Sequence, residues 1–421
     1  MKLNYKRTIL VGFAFFLISA FWQAYDTIVP LILTNKFGMM QTTSGFIMSL
    51  DNIFAVFMLP LFGTLSDKLN TPFGKRTPFI VVGTVLASAF FILLGLSSSL
   101  AMFIAILLLS LISMALFRSP AVALMPDVTL KPLRSKGNAV INLMGTAGGI
   151  IVLALGILFK TSTEGKTDFT WYMVTVAGIM LVALIIFLLT VREKKWVEEM
   201  QLESQNLDKE EVVETGRKLT SKELLSLILI LSSVALWYIG YNAVTSKYSV
   251  YASNVLKVEY TVTLLVAQGA AIASYIPVGF VASKFGRRKT ILAGILMLSG
   301  AFIGASFVKE GTSPILMYAL FALAGIGWAT INVNSFPMVV ELAKNGNVGK
   351  YTGFYYTASM SAQIVTPVLS GLFIDYVGWW TFFPYASVFA LLSFVTMFFV
   401  KHGDSKPVTP SSKLEMMGSD D

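Results

Sequence analysis

The sequence predicts an all-α membrane protein with twelve transmembrane helices in two pseudo-symmetric six-helix bundles. Three observations predict it. The 421 residues are 55% hydrophobic and only 13% charged, with a mean hydropathy of +0.73; soluble domains carry roughly a quarter charged residues. Apolar runs of about 20 residues, enough to cross a hydrocarbon core of roughly 30 Å, recur along the whole chain. A charged turn between two such runs, Gly63 to Ile80 (GTLSDKLNTPFGKRTPFI), returns at Gly279 to Ile291 (GFVASKFGRRKTI), an offset of 216 residues or about half the chain.

In chain order, the apolar runs give spans at about 8–34, 43–66, 77–97, 100–125, 137–160 and 170–191, then 223–251, 261–283, 289–308, 314–340, 350–375 and 379–400. Each is bounded by charged or turn residues, and the joining loops are short. The exception is 192–222, rich in Glu and Lys, which reads as a solvated linker with some amphipathic helix. The expected organisation is therefore a bundle over 1–191, a cytoplasmic linker over 192–222, a bundle over 223–400 and a cytoplasmic tail over 401–421. With the N-terminus inside, the cytoplasmic segments hold 25 of the 32 Lys and Arg and the opposite side five, Lys36, Lys160, Lys166, Lys257 and Lys309. That asymmetry orients both termini to the cytoplasm. It also accounts for the net charge of +9 without a nucleic-acid partner. Lys2, Lys6 and Arg7 precede an apolar stretch too long for a signal-peptide core.

The halves echo each other beyond the turn. Phe21-Trp22 with Tyr25-Asp26 resembles Leu236-Trp237 with Tyr241-Asn242, and Asp127, ending the fourth span, corresponds to Glu341, ending the tenth. In carriers built from such repeats the substrate site lies near the midplane, where the halves meet.

Gly63-x-x-Ser66-Asp67-Lys68 followed by Phe73-Gly74-Lys75-Arg76, with its echo after span eight, resembles the signature of the major facilitator superfamily. Arg76-Thr77-Pro78-Phe79-Ile80, Asp51-Asn52, and Arg118-Ser119-Pro120-Ala121 through Pro126-Asp127 look more specifically like the sucrose-transporter-like glycoside–proton symporters. The resemblance implies the major facilitator fold, a two-bundle carrier working by alternating access, and sugar–proton symport across the cell membrane, functional as a monomer. One departure matters. Plant sucrose carriers of this family place an acid early in span four, whereas Leu109 to Phe117 contains none, so any coupled proton needs another carrier.

In the charged turn, Gly63 permits close helix approach and Gly74 a tight turn. Asp67, Lys75 and Arg76 are expected to form a cytoplasmic gate, with Asp127 and Glu341 as further members; the plainer account is positive-inside charge with helix-end acids.

Ionisable groups inside the bilayer are costly unless paired or hydrated, so each is a functional candidate. Asp26 leads. It lies about eighteen residues into span one, about 27 Å along the helix, among Trp22, Gln23, Tyr25 and Thr27, with Pro30 able to bend the helix. It is a candidate to bind the proton, the sugar or both; the alternative is a structural hydrogen bond. Asp51 is a second proton candidate, and the half-repeat sets Arg118 opposite Asn332 or Asn334. Arg118 either meets a substrate hydroxyl or an acid, or is a structural cation. Lys247 either snorkels outward or pairs with Asp26 or Asp51. Tyr241, Asn242, Gln268, Trp328, Asn332 and Asn334 read as neutral groups suited to stacking on and bonding a sugar; helix packing is the alternative for each amide.

There is no cysteine, and the one histidine, His402, lies in the tail. Metal or nucleophile–His chemistry has little to work with, there is no phosphate-binding Gly-x-x-x-x-Gly-Lys motif, and no enzyme activity, metal or cofactor is expected. The rival is a proton-coupled antiporter exporting hydrophobic or drug-like compounds, for which 19 Met and 32 Phe speak.

Overall fold

A computed structural model describes residues 3–130, 133–205, 219–342 and 348–403. Parts of the expected linker (206–218) and tail (404–421) lie outside the described residues. Thirteen α-helices are described: α1 (Tyr5–Leu31), α2 (Gln41–Lys68), α3 (Thr77–Leu96), α4 (Leu100–Asp127), α5 (Arg134–Leu158), α6 (Thr170–Thr190), α7 (Glu193–Gln205), α8 (Ser221–Tyr251), α9 (Tyr260–Phe285), α10 (Arg287–Ala305), α11 (Pro314–Glu341), α12 (Val348–Tyr376) and α13 (Phe382–Phe398). Eleven of the described helices are long and apolar enough to cross a membrane. α9, with 26 residues, occupies the eighth expected span. α7 is the short helix of the linker, polar overall and with Trp196, Val197 and Met200 on one side.

Local chemistry sets the helix ends. Asn4 caps α1 by accepting from the Arg7 amide at 3.1 Å, and Ser99 caps α4 by accepting from Met102 at 3.3 Å. Thr220 and Glu223 form a reciprocal capping box on α8. Gly286, at φ +93°, ends α9 and turns the chain into α10.

The chain divides into two compact units. Unit 1 comprises the described parts of Met1–Ile32, Leu50–Thr161 and Lys166–Glu211; unit 2 comprises Leu33–Ser49, Ser162–Gly165 and the described parts of Val212–Asp421. Chain order assigns Leu33–Ser49 to the first bundle, yet these residues group with unit 2. Within unit 1, α1 packs on α5, α6 and α4, and α3 on α4 and α6. Unit 2 repeats the pattern: α8 packs on α12, α13 and α11, and α10 on α11 and α13. The repeat shows again where α1 and α8 each run into one five-residue π-helical turn, Ile32–Lys36 and Ala252–Leu256. Such turns are rare and favour functional positions. In unit 2, α9 also packs on α11.

Candidate functional site

In unit 1 the site is built on one face of α1. From Phe21 to Leu31 most of the helix is fully enclosed, but Trp22 and Gln23 are half-buried and Asp26 is exposed. Positions 22, 23 and 26 share a face at helical spacing. Asp26 does not face away from the unit: Asp51 of α2 and Arg118 of α4 both act on it electrostatically. The Arg118 guanidinium also sits 5.5 Å from the centre of the Trp22 ring, a cation–π arrangement. Asp51 accepts hydrogen bonds from the amide and the side chain of Asn52, at 2.6 and 2.7 Å. Two acids and a cation on three helices thus act on one another electrostatically, with an indole beside the cation. Tyr25 belongs elsewhere. It is fully buried, stacked near Phe21 (centroids 6.1 Å) and edge-on to Trp22 (5.2 Å), so it supports the site's wall and does not line its accessible face.

In unit 2, Tyr241 of α8 lies flat on Trp328 of α11, centroids 3.5 Å apart and planes 5° from parallel, with Tyr238 edge-on to the same indole at 5.2 Å. Asn332, one turn beyond Trp328, is half-buried, and its side-chain carbonyl has no partner among the described residues. Gln268 of α9 is half-buried as well. The other two amides are spent inside their own helices. Asn242 donates to the Tyr238 carbonyl at 2.9 Å, and Asn334, 2% exposed, to the Thr330 carbonyl at 2.9 Å. Both follow the i−4 pattern that satisfies a buried amide locally, which favours helix packing over ligand contact for this pair.

Lys247 follows neither expected course. It is 2% exposed and donates to the Gln41 carbonyl at 2.7 Å, so it neither reaches outward nor pairs with Asp26 or Asp51. A buried ammonium needs such an acceptor.

The charged turn is an ion-pair network inside unit 1. The buried Arg76 pairs with Asp67 at 2.5 Å and Asp127 at 2.8 Å and donates to the Ser66 hydroxyl. Burial works against its charge, but Asp127 and Asp67 outweigh it and hold the guanidinium above its ordinary range. Lys75 contributes its backbone only, its side chain being exposed. In unit 2, Glu341 pairs with Arg287 at 2.6 Å, the residue that matches Lys75 and not Arg76 in the repeated turn. Gly63 lies where an added Cβ would stand 2.8 Å from the Ser119 hydroxyl, the close approach expected of it.

Glu193 is absent from the expected set. It begins α7, is 2% exposed, and accepts from the amides of Lys75 (2.6 Å), Arg76 (2.8 Å) and Thr77 (2.7 Å) and from the Thr77 hydroxyl (2.7 Å). The first amides of a helix need acceptors and favour negative charge, and Arg76, at the N-cap of α3, supplies no side-chain cap. A carboxylate 117 residues away fills that role for Arg76. Gly74, at φ +114°, allows it: a Cβ there would collide with the Glu193 carboxylate.

Sequence comparison decides the family. The family model described as MFS/sugar transport protein matches residues 10–401. The chain belongs to this family. The transporter is 25% identical over 399 residues to an uncharacterized MFS-type transporter of Methanocaldococcus jannaschii, covering 94% of this chain and 95% of that one. Its fold matches the xylose transporter XylE from E. coli in an inward open conformation (TM-score 0.67, 13% identity, 96% of this chain and 98% of that one). It also matches the nucleoside transporter NupG (TM-score 0.67, 14% identity, 93% and 99%) and the peptide transporter POT (TM-score 0.70, 13% identity, 94% and 93%). At such identities these structures share the fold alone. The chain is therefore an integral membrane transporter of small molecules, and not an enzyme.

Proposed function

We propose that this transporter carries a sugar, a disaccharide or glycoside, by alternating access and in symport with protons. The observation that carries the reading is the Asp26 carboxylate on the accessible face of α1, within electrostatic reach of Asp51 and Arg118. An acid inside a membrane span is costly to keep charged, so the cost is met by taking up a proton or by the Arg118 cation, and a solute that engages Arg118 shifts that balance. Asp26 and Asp51 hold the proton in this reading. Gln23, Arg118 and, in unit 2, the Tyr241–Trp328 stack with Gln268 and Asn332 hold the sugar, since a flat aromatic surface suits the apolar face of a pyranose and amides suit its hydroxyls. Gly63, Asp67, Gly74, Lys75, Arg76, Asp127 and Glu341 form the cytoplasmic gate. The carrier works as a monomer in the cell membrane with both termini cytoplasmic.

The test is counterflow in proteoliposomes with a panel of labelled mono- and disaccharides at two pH values. Saturable exchange of one sugar class, with net uptake driven by an inward proton gradient, is expected. Exchange of hydrophobic amines instead of sugars would transfer the assignment to an exporter.

A further inference from the structure

In unit 2, the joint between α10 and α13 carries a basic and aromatic patch that the proposed sugar site does not use. α9 ends and α10 begins within six residues that hold Lys284, Phe285, Arg287, Arg288 and Lys289. Arg288 reaches across to α13. It donates to the carbonyls of Met397, at 3.4 Å, and Phe398, and its guanidinium lies 5.7 Å from the centre of the Phe398 ring. The first turn of α10 and the last turn of α13 are thereby fixed side by side. Arg287 pairs with Glu341. Lys284 and Lys289 are exposed, and among the described residues no carboxylate pairs with either. Four cations against one carboxylate leave an excess of three positive charges. The matching turn of unit 1 differs, because Asp67, Asp127 and Glu193 are all bonded to it.

The cations stand beside exposed rings and apolar helix faces. Phe285, Phe398 and Phe399 are each more than half exposed, and the Lys284 ammonium lies 5.4 Å from the centre of the Phe285 ring. On α10, Lys289, Ala293, Leu296 and Gly300 are exposed and share one face at helical spacing. A Cβ on Gly300 would meet nothing within 4 Å, so this face is shallow. On α13, which packs on α10, Val388, Leu392 and Val395 are exposed and lead to Phe399. On membrane-spanning helices these apolar faces meet lipid chains, and the lysines stand where the faces give way to water, at the depth of the headgroups.

We infer that this patch binds one anionic phospholipid, its phosphate held by Lys284 and Lys289 and its chains laid along the exposed faces of α10 and α13. The charge selects the headgroup. A zwitterionic lipid brings its own cation and leaves the excess in place, whereas an anionic one offsets it. The rings and the apolar faces select a lipid over a soluble phosphate, which would meet the lysines and leave the rest uncovered. Seated there, the lipid ties α10 to α13 from the outside, in parallel with Arg288.

The test needs no transported solute, so its failure is separate from failure of the sugar reading. The full chain, purified in detergent, is titrated with phosphatidylglycerol or with phosphatidylcholine of the same chains, and bound lipid is counted by native mass spectrometry. One phosphatidylglycerol is expected to bind about thirtyfold more tightly than phosphatidylcholine, the effect of two lysines at roughly fivefold each, and to raise the melting temperature. Lys284→Gln combined with Lys289→Gln is expected to remove that preference, with phosphatidylcholine binding and the lipid-free melting temperature unchanged. Lys194→Gln combined with Lys195→Gln removes the same charge from exposed positions of α7 and is expected to leave the preference intact. Equal affinity for the two lipids in the wild type would overturn the site. So would equal losses in the two double variants, which would reduce the effect to a general attraction between a basic protein and acidic lipid.

Discussion

At the scale of single residues, charge burial decides what each ionisable group does. Glu193 holds three amides and a hydroxyl with one carboxylate, and losing charge-assisted bonds of this kind costs about 1.5–3 kcal/mol each. Glu193→Gln is expected to lower the melting temperature of the detergent-purified protein; Glu193→Asp, too short to reach all four donors, is expected to lower it less. In the Arg76 network, Asp127 is 33% exposed and Asp67 62%. Exposed ion pairs contribute little, so Asp127→Asn is expected to destabilise more than Asp67→Asn, and Arg76→Ala more than either, since it leaves two acids unpaired. Thermal melts of the three variants rank them. In unit 2 the Tyr241–Trp328 stack offers one continuous aromatic surface. If the proposed sugar stacks there, Trp328→Ala weakens its binding about tenfold, the effect of losing about 1.4 kcal/mol, as read by calorimetry. These groups were unequally legible. Asp26, Arg118 and Trp328 stand out in any apolar run, while Glu193 lies in a charged linker where one acid among many carries no mark.

At the scale of elements, helix ends carry more of the organisation than helix interiors. The α2–α3 turn is fixed by Gly74, which combines a left-handed backbone with room for the Glu193 carboxylate. Gly74→Ala is expected to cost about 1–3 kcal/mol through strain at positive φ and displacement of that carboxylate. Restoring stability with the double variant Gly74→Ala, Glu193→Ala is not expected, because the α3 amides then lose their acceptor; a double-mutant melt reads this. The paired acids Asp127 and Glu341 were visible from their offset of 214 residues, and their partners Arg76 and Arg287 lie in the two copies of the repeated turn. The π-helical turns closing α1 and α8 were not visible, because an extra residue in a helical turn changes hydrogen bonding without changing hydrophobic period.

At the scale of the whole molecule, transport requires a change of access, and the proposed symport adds a proton to each crossing. If Asp26 carries the coupled proton, Asp26→Asn abolishes uptake driven by a pH gradient, while counterflow, which needs no net proton movement, persists at a rate within about tenfold of the wild type. Loss of both in a folded protein would instead place Asp26 in sugar binding alone. The two arms are read in one proteoliposome preparation.

The amino-acid sequence by itself determined that this chain spans a membrane many times, that it repeats, and where its charges gather. These follow from apolar run length, composition and spacing, which are properties of consecutive residues. Only the tertiary structure decided which charges meet. Lys247 ends on the Gln41 carbonyl and not on Asp26 or Asp51, Asn242 and Asn334 turn back on their own helices, Tyr25 faces inward beside an exposed Asp26, and Glu193 caps a helix more than a hundred residues away. Buried polar groups must find partners, and the partner is whichever group folding brings within about 3 Å; sequence distance does not measure that.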